Sequence, residues 1–237
     1  MVIFRYNFKL SIVLIIVFIL MTVIGTLTHE LGHYTVAKLL GYDAKINYQS
    51  TSYNNNEVLD FLDEYSNKYR YELKNNLDFP EKEKYFNLTN NYRWHHFLFI
   101  LGGPVQTILT GTIGLLLLIV YKKKYITTEK VSIIGWVLIF LALFWLRQSA
   151  NLISALAYYF LFNSSSISGD EMRLAYYLEI NMWSIQIITG LIGFVVLFYV
   201  IKILPNNIKL TFMVSGLIGG ILGYYLWLIQ FGKVIMP

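Results

Sequence analysis

Long apolar runs without a charged residue alternate along the chain with short polar segments. A helix needs about 20 such residues to cross the hydrocarbon core of a bilayer. Runs near this length recur through the sequence, at 10–28, 97–120, 131–146, 180–201 and 210–232. The pattern predicts an all-α, polytopic membrane protein with about five to six transmembrane helices and one polar extramembrane insertion.

Composition supports the same class. Hydrophobic residues make up 56% of the chain, charged residues 14%, and the mean hydropathy is +0.53. The net charge of +5 comes from basic residues that flank the apolar runs instead of forming one patch, so it indicates positive-inside anchoring and not nucleic-acid binding. We therefore expect an integral, multi-pass protein of the cell (plasma) membrane, with the lipid bilayer as its partner.

The polar insertion divides the chain into three parts. Residues 1–41 form the first transmembrane helix, 42–93 the extramembrane insertion, and 94–237 the remaining transmembrane bundle. Apolar residues within the insertion recur at helical spacing, which predicts an amphipathic helix at the membrane surface: Val58, Phe61, Leu62, Tyr65, Tyr69 and Leu73. Two roles are open for this helix. It is either a functional element, which acts as a lid or docks substrate, or a plain solvated connector.

The apolar sequence at 131–162 is interrupted by Arg147 and allows two topologies. With Arg5 and Lys9 inside, one long crossing brings Asp170 to the same outer side as residues 29–33, whereas a hairpin places it on the opposite side. Arg147 and Asn151 lie one turn apart on a common helix face. Two roles remain open for this pair: contacts between helices, or direct contact with substrate.

The sequence His-Glu-Leu-Gly-His at 29–33 ends the first apolar run. His29 and His33 leave the same face of a helix, so both imidazoles can bind one metal ion. Glu30 can reach a water on that metal, which is the division of labour of a zinc hydrolase. Ionisable groups at membrane depth are costly and usually functional, which argues against a chance match.

A catalytic zinc requires a third protein ligand, and the absence of cysteine excludes a thiolate. The only acidic residues after Lys130 are Asp170, Glu171 and Glu179, and Asp170 is our choice. A purely structural role competes with it, since Ser168 and Glu171 form a capping box that an acid in the first helical turn would support. His95 and His96 are alternative ligands, although they also suit the membrane interface.

Gly102, Gly103 and Pro104 lie near the start of the second long apolar run. They predict either a structural feature, which is a kink or a close helix contact, or a functional one, in which the backbone passes close to the metal-binding helix or offers a hydrogen-bonding edge to an extended peptide.

Together, the His-Glu-Leu-Gly-His, the Gly-Gly-Pro and the later Asn151 and Asp170 resemble the site-2 protease class of intramembrane metalloproteases, peptidase family M50, in a compact M50B-like form. The resemblance covers residues 29–174. It implies that His29, His33 and Asp170 bind Zn²⁺ and that Glu30 is the catalytic base. Gly103 and Pro104 match the family's small-small-Pro element, with Gly102 and Asn151 as supporting residues of the substrate site.

The resemblance implies a zinc metalloendopeptidase that hydrolyses peptide bonds in or near transmembrane segments of membrane-protein or membrane-peptide substrates. Two alternatives from other classes remain. A zinc-dependent transporter would need acidic or His residues on several crossings, and the chain has no acidic residue after Glu179. A noncatalytic membrane regulator derived from a protease would not need Glu30.

Overall fold

The computed structural model describes residues 6–162 and 169–237, and the prediction of an all-α fold with long apolar helices is confirmed. Arg5 and Ser168, which entered the topology and capping arguments, lie outside the described residues. The helices are α1 (Phe8–Leu39), α2 (Asn56–Lys68), α3 (Arg70–Lys74), α4 (Lys82–Tyr125), α5 (Ile133–Ala142), α6 (Leu146–Phe162), α7 (Asp170–Tyr177), α8 (Ser184–Ile203), α9 (Asn206–Gly223) and α10 (Gly232–Ile235). A π-helical segment, Tyr224–Phe231, joins the last two.

Five helical stretches in the described part of the chain are long and apolar enough to cross a membrane. They are Phe8–Leu39, Lys82–Tyr125, Ile133–Phe162, Ser184–Ile203 and Asn206–Ile235. The chain is therefore an integral membrane protein, and these five stretches are its candidate membrane helices.

Local capping sets the ends of α1. The Asn7 side chain accepts a hydrogen bond from the backbone of Leu10, which satisfies one of the free N–H groups of the first turn. The helix ends at Leu39, and Gly41 follows with φ 85°, a left-handed conformation that glycine adopts readily. The end of α1 thus falls just inside the first predicted segment, 1–41.

The stretch at 131–162 is one interrupted rod and not a hairpin. A 3₁₀ turn, Leu143–Trp145, connects α5 directly to α6. The first half packs against α4 and the second against α8, whereas the two halves of a hairpin would pack against each other. Of the two arrangements that the sequence allowed, the structure has the single long one.

The polar insertion contains more structure than the predicted amphipathic helix. That helix is present as α2 and α3, with a break at Tyr69. An antiparallel hairpin precedes it, formed by β1 (Asp43–Ile46) and β2 (Thr51–Asn54). The helix α4 begins at Lys82, inside the segment assigned to the insertion, and continues without interruption through residue 94 into the apolar run.

Small residues bring α1 and α4 into backbone contact beside the metal-binding sequence. A Cβ atom added to Gly32 would overlap the carbonyl oxygen of Gly102, and one added to Gly102 would lie 2.6 Å from the carbonyl oxygen of Gly32. Because neither position tolerates a side chain, the two helices approach each other more closely than larger residues would allow. On its other side α1 packs against α9.

The short helix α7 packs against α4 and α8 and carries Asp170 as its first residue. Gly169 precedes it with φ 99° and ψ 153°, a conformation essentially restricted to glycine, and among the described residues no side chain caps this end. Asp170 follows this glycine directly, and its side chain reaches His29 and His33 of α1.

Candidate metal centre

Three side chains from α1 and α7 converge on one point. The Nε2 atoms of His29 and His33 are 3.2 Å apart, and Asp170 Oδ2 lies 2.9 Å from the first and 3.2 Å from the second. The two histidine residues are 1% and 5% exposed, while the Asp170 side chain keeps 21% of its surface exposed. Solvent therefore approaches this point from the α7 side.

The other ring nitrogen of each histidine is held by α4. His33 Nδ1 donates to the carbonyl oxygen of Phe99 at 2.7 Å, since a carbonyl can only accept. His29 Nδ1 lies 2.9 Å from the hydroxyl oxygen of Thr107, which has Gln106 Oε1 at 3.4 Å to receive its own proton. With these hydrogen bonds, each neutral imidazole carries its proton on Nδ1. Both Nε2 atoms therefore carry a lone pair, which is directed at Asp170 Oδ2.

This donor set fits a metal ion. Two imidazole lone pairs and a carboxylate oxygen within 3.2 Å of one another repel unless a cation lies between them. The separations are close to the roughly 3.3 Å expected between ligand atoms at tetrahedral zinc with bonds of about 2.0–2.1 Å. The imidazole-to-backbone and imidazole-to-hydroxyl hydrogen bonds are the outer contacts that usually orient histidine ligands.

Gly103 of α4 leaves the space that such an ion requires. A Cβ atom at this position would overlap the Nε2 atoms of both His29 and His33. The backbone of α4 thus passes directly beside the ligand atoms, as one of the two interpretations of Gly102, Gly103 and Pro104 predicts. All three residues are buried, and α4 continues through Pro104.

Glu30 also lies beside His29 and His33, but its carboxylate is farther from the two imidazoles than that of Asp170. A ligand atom of Glu30 falls within 4.8 Å of those of His29 and His33, so these three residues alone could hold an ion. Asp170 is the better third ligand because its oxygen lies much closer to both imidazoles, at 2.9 and 3.2 Å. Glu30 is left as a buried carboxylate next to the centre, 4% exposed.

The β hairpin holds Glu30 in place. Thr51, the first residue of β2, donates its hydroxyl either to Glu30 Oε2 at 3.1 Å or to the Glu30 carbonyl oxygen at 2.9 Å. Two hydrogen bonds connect the hairpin turn to residues near 230. Trp227 Nε1 donates to the carbonyl oxygen of Tyr48, and the backbone N–H of Tyr48 donates to the carbonyl oxygen of Met236. The position of Glu30 therefore depends on three separate parts of the chain.

The structure places the other candidate residues away from the three ligand atoms. His95 and His96 pair through Nδ1 with the phenols of Tyr42 and Tyr53, so the alternative in which either supplies the third ligand gains no support. Burial raises the pKa of Tyr53, which keeps its proton available for His96. We find both histidines in an aromatic layer between the hairpin and α4.

Asn151 contacts the residue next to Asp170. Its amide donates to Glu171 Oε2 at 3.4 Å, and its backbone oxygen accepts from Gln186 at 2.8 Å. Burial, followed by the charge of Asp170, raises the pKa of the Glu171 carboxyl. Asn151 thus ties α6 to the start of α7, which is a supporting role.

The sequence did not reveal the residues that orient the centre: Thr51, Thr107 and Phe99. One of them left a detectable signal, because Thr107 follows Gly103 by four residues and so shares its helix face. Thr51 lies in a polar segment without periodicity, and Phe99 contributes a backbone oxygen that any residue would supply.

Comparison with known proteins adds no relative: no family model, no curated protein and no solved structure matches this chain. The fold and the site define a class by themselves. The chain is an all-α integral membrane protein whose buried histidine and carboxylate side chains could hold a metal ion.

Proposed function

We propose that this protein is an intramembrane zinc metalloprotease of the site-2 protease class, which hydrolyses peptide bonds in or near transmembrane segments of membrane proteins. One observation carries the proposal: His29, His33 and Asp170 converge to within 3.2 Å, and a fourth ionisable side chain, Glu30, lies beside them. A structural metal site has no need of that additional buried carboxylate.

His29, His33 and Asp170 would hold the zinc ion. Two imidazoles and one carboxylate make the three-ligand set of a catalytic zinc site, in which the remaining position is left to water or substrate. When bound, zinc supplies Lewis acidity, which acidifies water and polarises a peptide carbonyl. Thr107 and the Phe99 carbonyl keep both imidazoles in the tautomer that binds metal.

Glu30 accepts the proton of the attacking water and later returns it to the leaving amine. Thr51 orients this carboxylate by donating to Oε2, so the other oxygen remains free for the proton transfer. Because Glu30 adjoins His29 in α1, the base and the two histidine ligands are fixed by one rigid helix.

The location of the site selects membrane substrates. His29 and Glu30 lie within a 32-residue apolar helix, so the reacting peptide must enter the bundle of membrane helices. A substrate helix has to unwind before its carbonyl can be attacked, and the backbone groups so released need protein or water as partners. Water and the unwound segment would enter beside Asp170, because its side chain is 21% exposed.

The test uses purified wild type, Glu30→Gln and Asp170→Ala, with Glu129→Gln as a control because Glu129 is exposed. Zinc per chain is measured by elemental analysis. Each protein is then reconstituted in liposomes with a pool of synthetic single-span peptides, and new peptide termini are identified by mass spectrometry.

We expect about one zinc per chain and cleavage in the wild type and in Glu129→Gln. Glu30→Gln should keep zinc and lose cleavage, and Asp170→Ala should lose most of its zinc. Turnover in Glu30→Gln would refute the base assignment. A wild type that binds zinc yet cleaves none of the peptides would instead support a noncatalytic regulator.

A further inference from the structure

Arg147 lies at the depth of the candidate metal centre. It is the second residue of α6, directly after the 3₁₀ turn. The backbone nitrogen of Trp145 packs against Gly111 of α4, 3.1 Å from where a Cβ would lie, and Ala142 packs against Gly114 in the same way. The two helices are thus antiparallel, so Arg147 lies toward Thr107, which is one turn before Gly111 and holds His29.

The guanidinium of Arg147 is partly buried and lacks a protein partner among the described residues. Its Nε atom is closed off from solvent and has no hydrogen-bond partner within the described part of the chain. None of the ion pairs found there includes Arg147. Withdrawing a charged group from water without a partner is costly, so such a residue is retained where something else compensates for it.

The charges of three carboxyl groups act on Arg147: Glu30 of α1, and Asp170 and Glu171 of α7. None of the three forms an ion pair with it in the described part of the chain. Together with its depth beside Thr107, this assigns Arg147 to the same group of charges as the proposed base and the proposed third ligand. Asn151, one turn further along α6, is not free for the same task because Glu171 and Gln186 already engage it.

We propose that Arg147 is a catalytic residue whose guanidinium donates hydrogen bonds to the carbonyl oxygen of the peptide bond that is cleaved. This inference rests on the proposed protease function. An arginine suits the task because its planar group offers five donors and stays charged at any physiological pH. Hydrogen-bond donors directed at the carbonyl oxygen are the groups that stabilise a developing oxyanion.

In the reaction, the water oxygen forms a bond to the carbonyl carbon while Glu30 accepts the proton of that water. The π electron pair of the carbonyl moves onto its oxygen, where Arg147 faces the new negative charge. The pair then re-forms the carbonyl, the C–N bond breaks, and the proton on Glu30 passes to the amine nitrogen. Arg147 ends the cycle in the state in which it began.

The test measures anion binding without any substrate. Wild type, Arg147→Gln and Arg147→Lys are loaded with Co²⁺, whose visible spectrum reports on its ligands, and titrated with methylphosphonate as a tetrahedral anion and with neutral imidazole. Arg173→Met is the matched control, because Arg173 is exposed on α7 three residues after Asp170.

We expect methylphosphonate to bind about 10–100-fold more weakly to Arg147→Gln and less weakly to Arg147→Lys, with cobalt content and imidazole affinity unchanged. The kcat for a cleaved peptide should fall about 100-fold or more in Arg147→Gln, with KM little changed. Wild-type methylphosphonate affinity in Arg147→Gln, or no methylphosphonate binding to the wild type, would overturn the proposal. If Arg147→Gln does not fold, undiminished affinity in Arg147→Lys overturns it equally.

The two proposals fail in different ways. Cobalt binding without cleavage of any peptide by the wild type would refute the protease function. Cleavage by the wild type that persists at the same kcat in Arg147→Gln would refute only the role of Arg147.

Discussion

Replacing Gly103 by alanine should expel the metal ion without altering any ligand. The new methyl group would overlap the Nε2 atoms of His29 and His33. Neither ring can retreat easily, because Thr107 and the Phe99 carbonyl hold the opposite nitrogen atoms at 2.9 and 2.7 Å. The backbone of α4 cannot move away from α1 either, because Gly102, the residue next to Gly103, is in contact with Gly32.

The expected loss of zinc affinity follows from the atoms that the new methyl group displaces. Changes to residues that only orient metal ligands typically lower metal affinity about 10–100-fold. A methyl group that contacts both ligand nitrogens acts on the ligands themselves, so Gly103→Ala should lower zinc affinity by at least about 100-fold. Overpacking at a closed site also costs about 1–3 kcal/mol of folding stability.

The assay is competition for zinc against a fluorescent chelator of known affinity, with circular dichroism as a check that the helices persist. Gly25→Ala is the matched control: Gly25 is also inside a membrane helix, α1, yet a Cβ there meets nothing within 4 Å. The control should bind zinc like the wild type. A folded Gly103→Ala protein with wild-type zinc affinity would refute the assignment of the ligand set.

Two further predictions separate the base from the ligands, with the exposed Thr35→Val in α1 as their common control. Thr51→Val removes the hydroxyl donor to Glu30 and should lower kcat about 10-fold or more at unchanged zinc content, since a hydrogen bond to a charged group contributes about 1.5–3 kcal/mol. Equal kcat in Thr51→Val and Thr35→Val would contradict the orienting role. Thr107→Val removes the partner of His29 and should instead lower zinc affinity about 10–100-fold, measured by the same chelator competition. Zinc affinity that does not change would contradict the role of Thr107 in orienting His29.

The helices could be predicted because their causes are local. A run of about 20 apolar residues specifies a membrane helix wherever it occurs, and Gly41 ends α1 through its own backbone freedom. The shared face of His29 and His33 likewise follows from helix geometry alone, so half of the candidate centre was evident before any tertiary contact was known.

Tertiary structure decided what surrounds those two histidines. Asp170 reaches His29 across 141 positions of sequence, and only the packing of α7 on α4 makes it a neighbour and not simply a helix cap. The single interrupted rod at 131–162 depended on α5 and α6 finding separate partners in α4 and α8, which no local pattern encodes.

The same holds for the residues that orient the centre. Thr51 acts on Glu30 because the hairpin folds back onto α1, and the segment around Tyr48 is fixed there by Trp227 near the other end of the chain. A hydroxyl in a polar segment carries no periodicity that would distinguish it from its neighbours. The sequence by itself thus determined the helices and the histidine pair, whereas long-range packing alone determined which groups contact Asp170 and the Glu30 carboxylate, because hydrogen bonds between distant segments exist only once the bundle has formed.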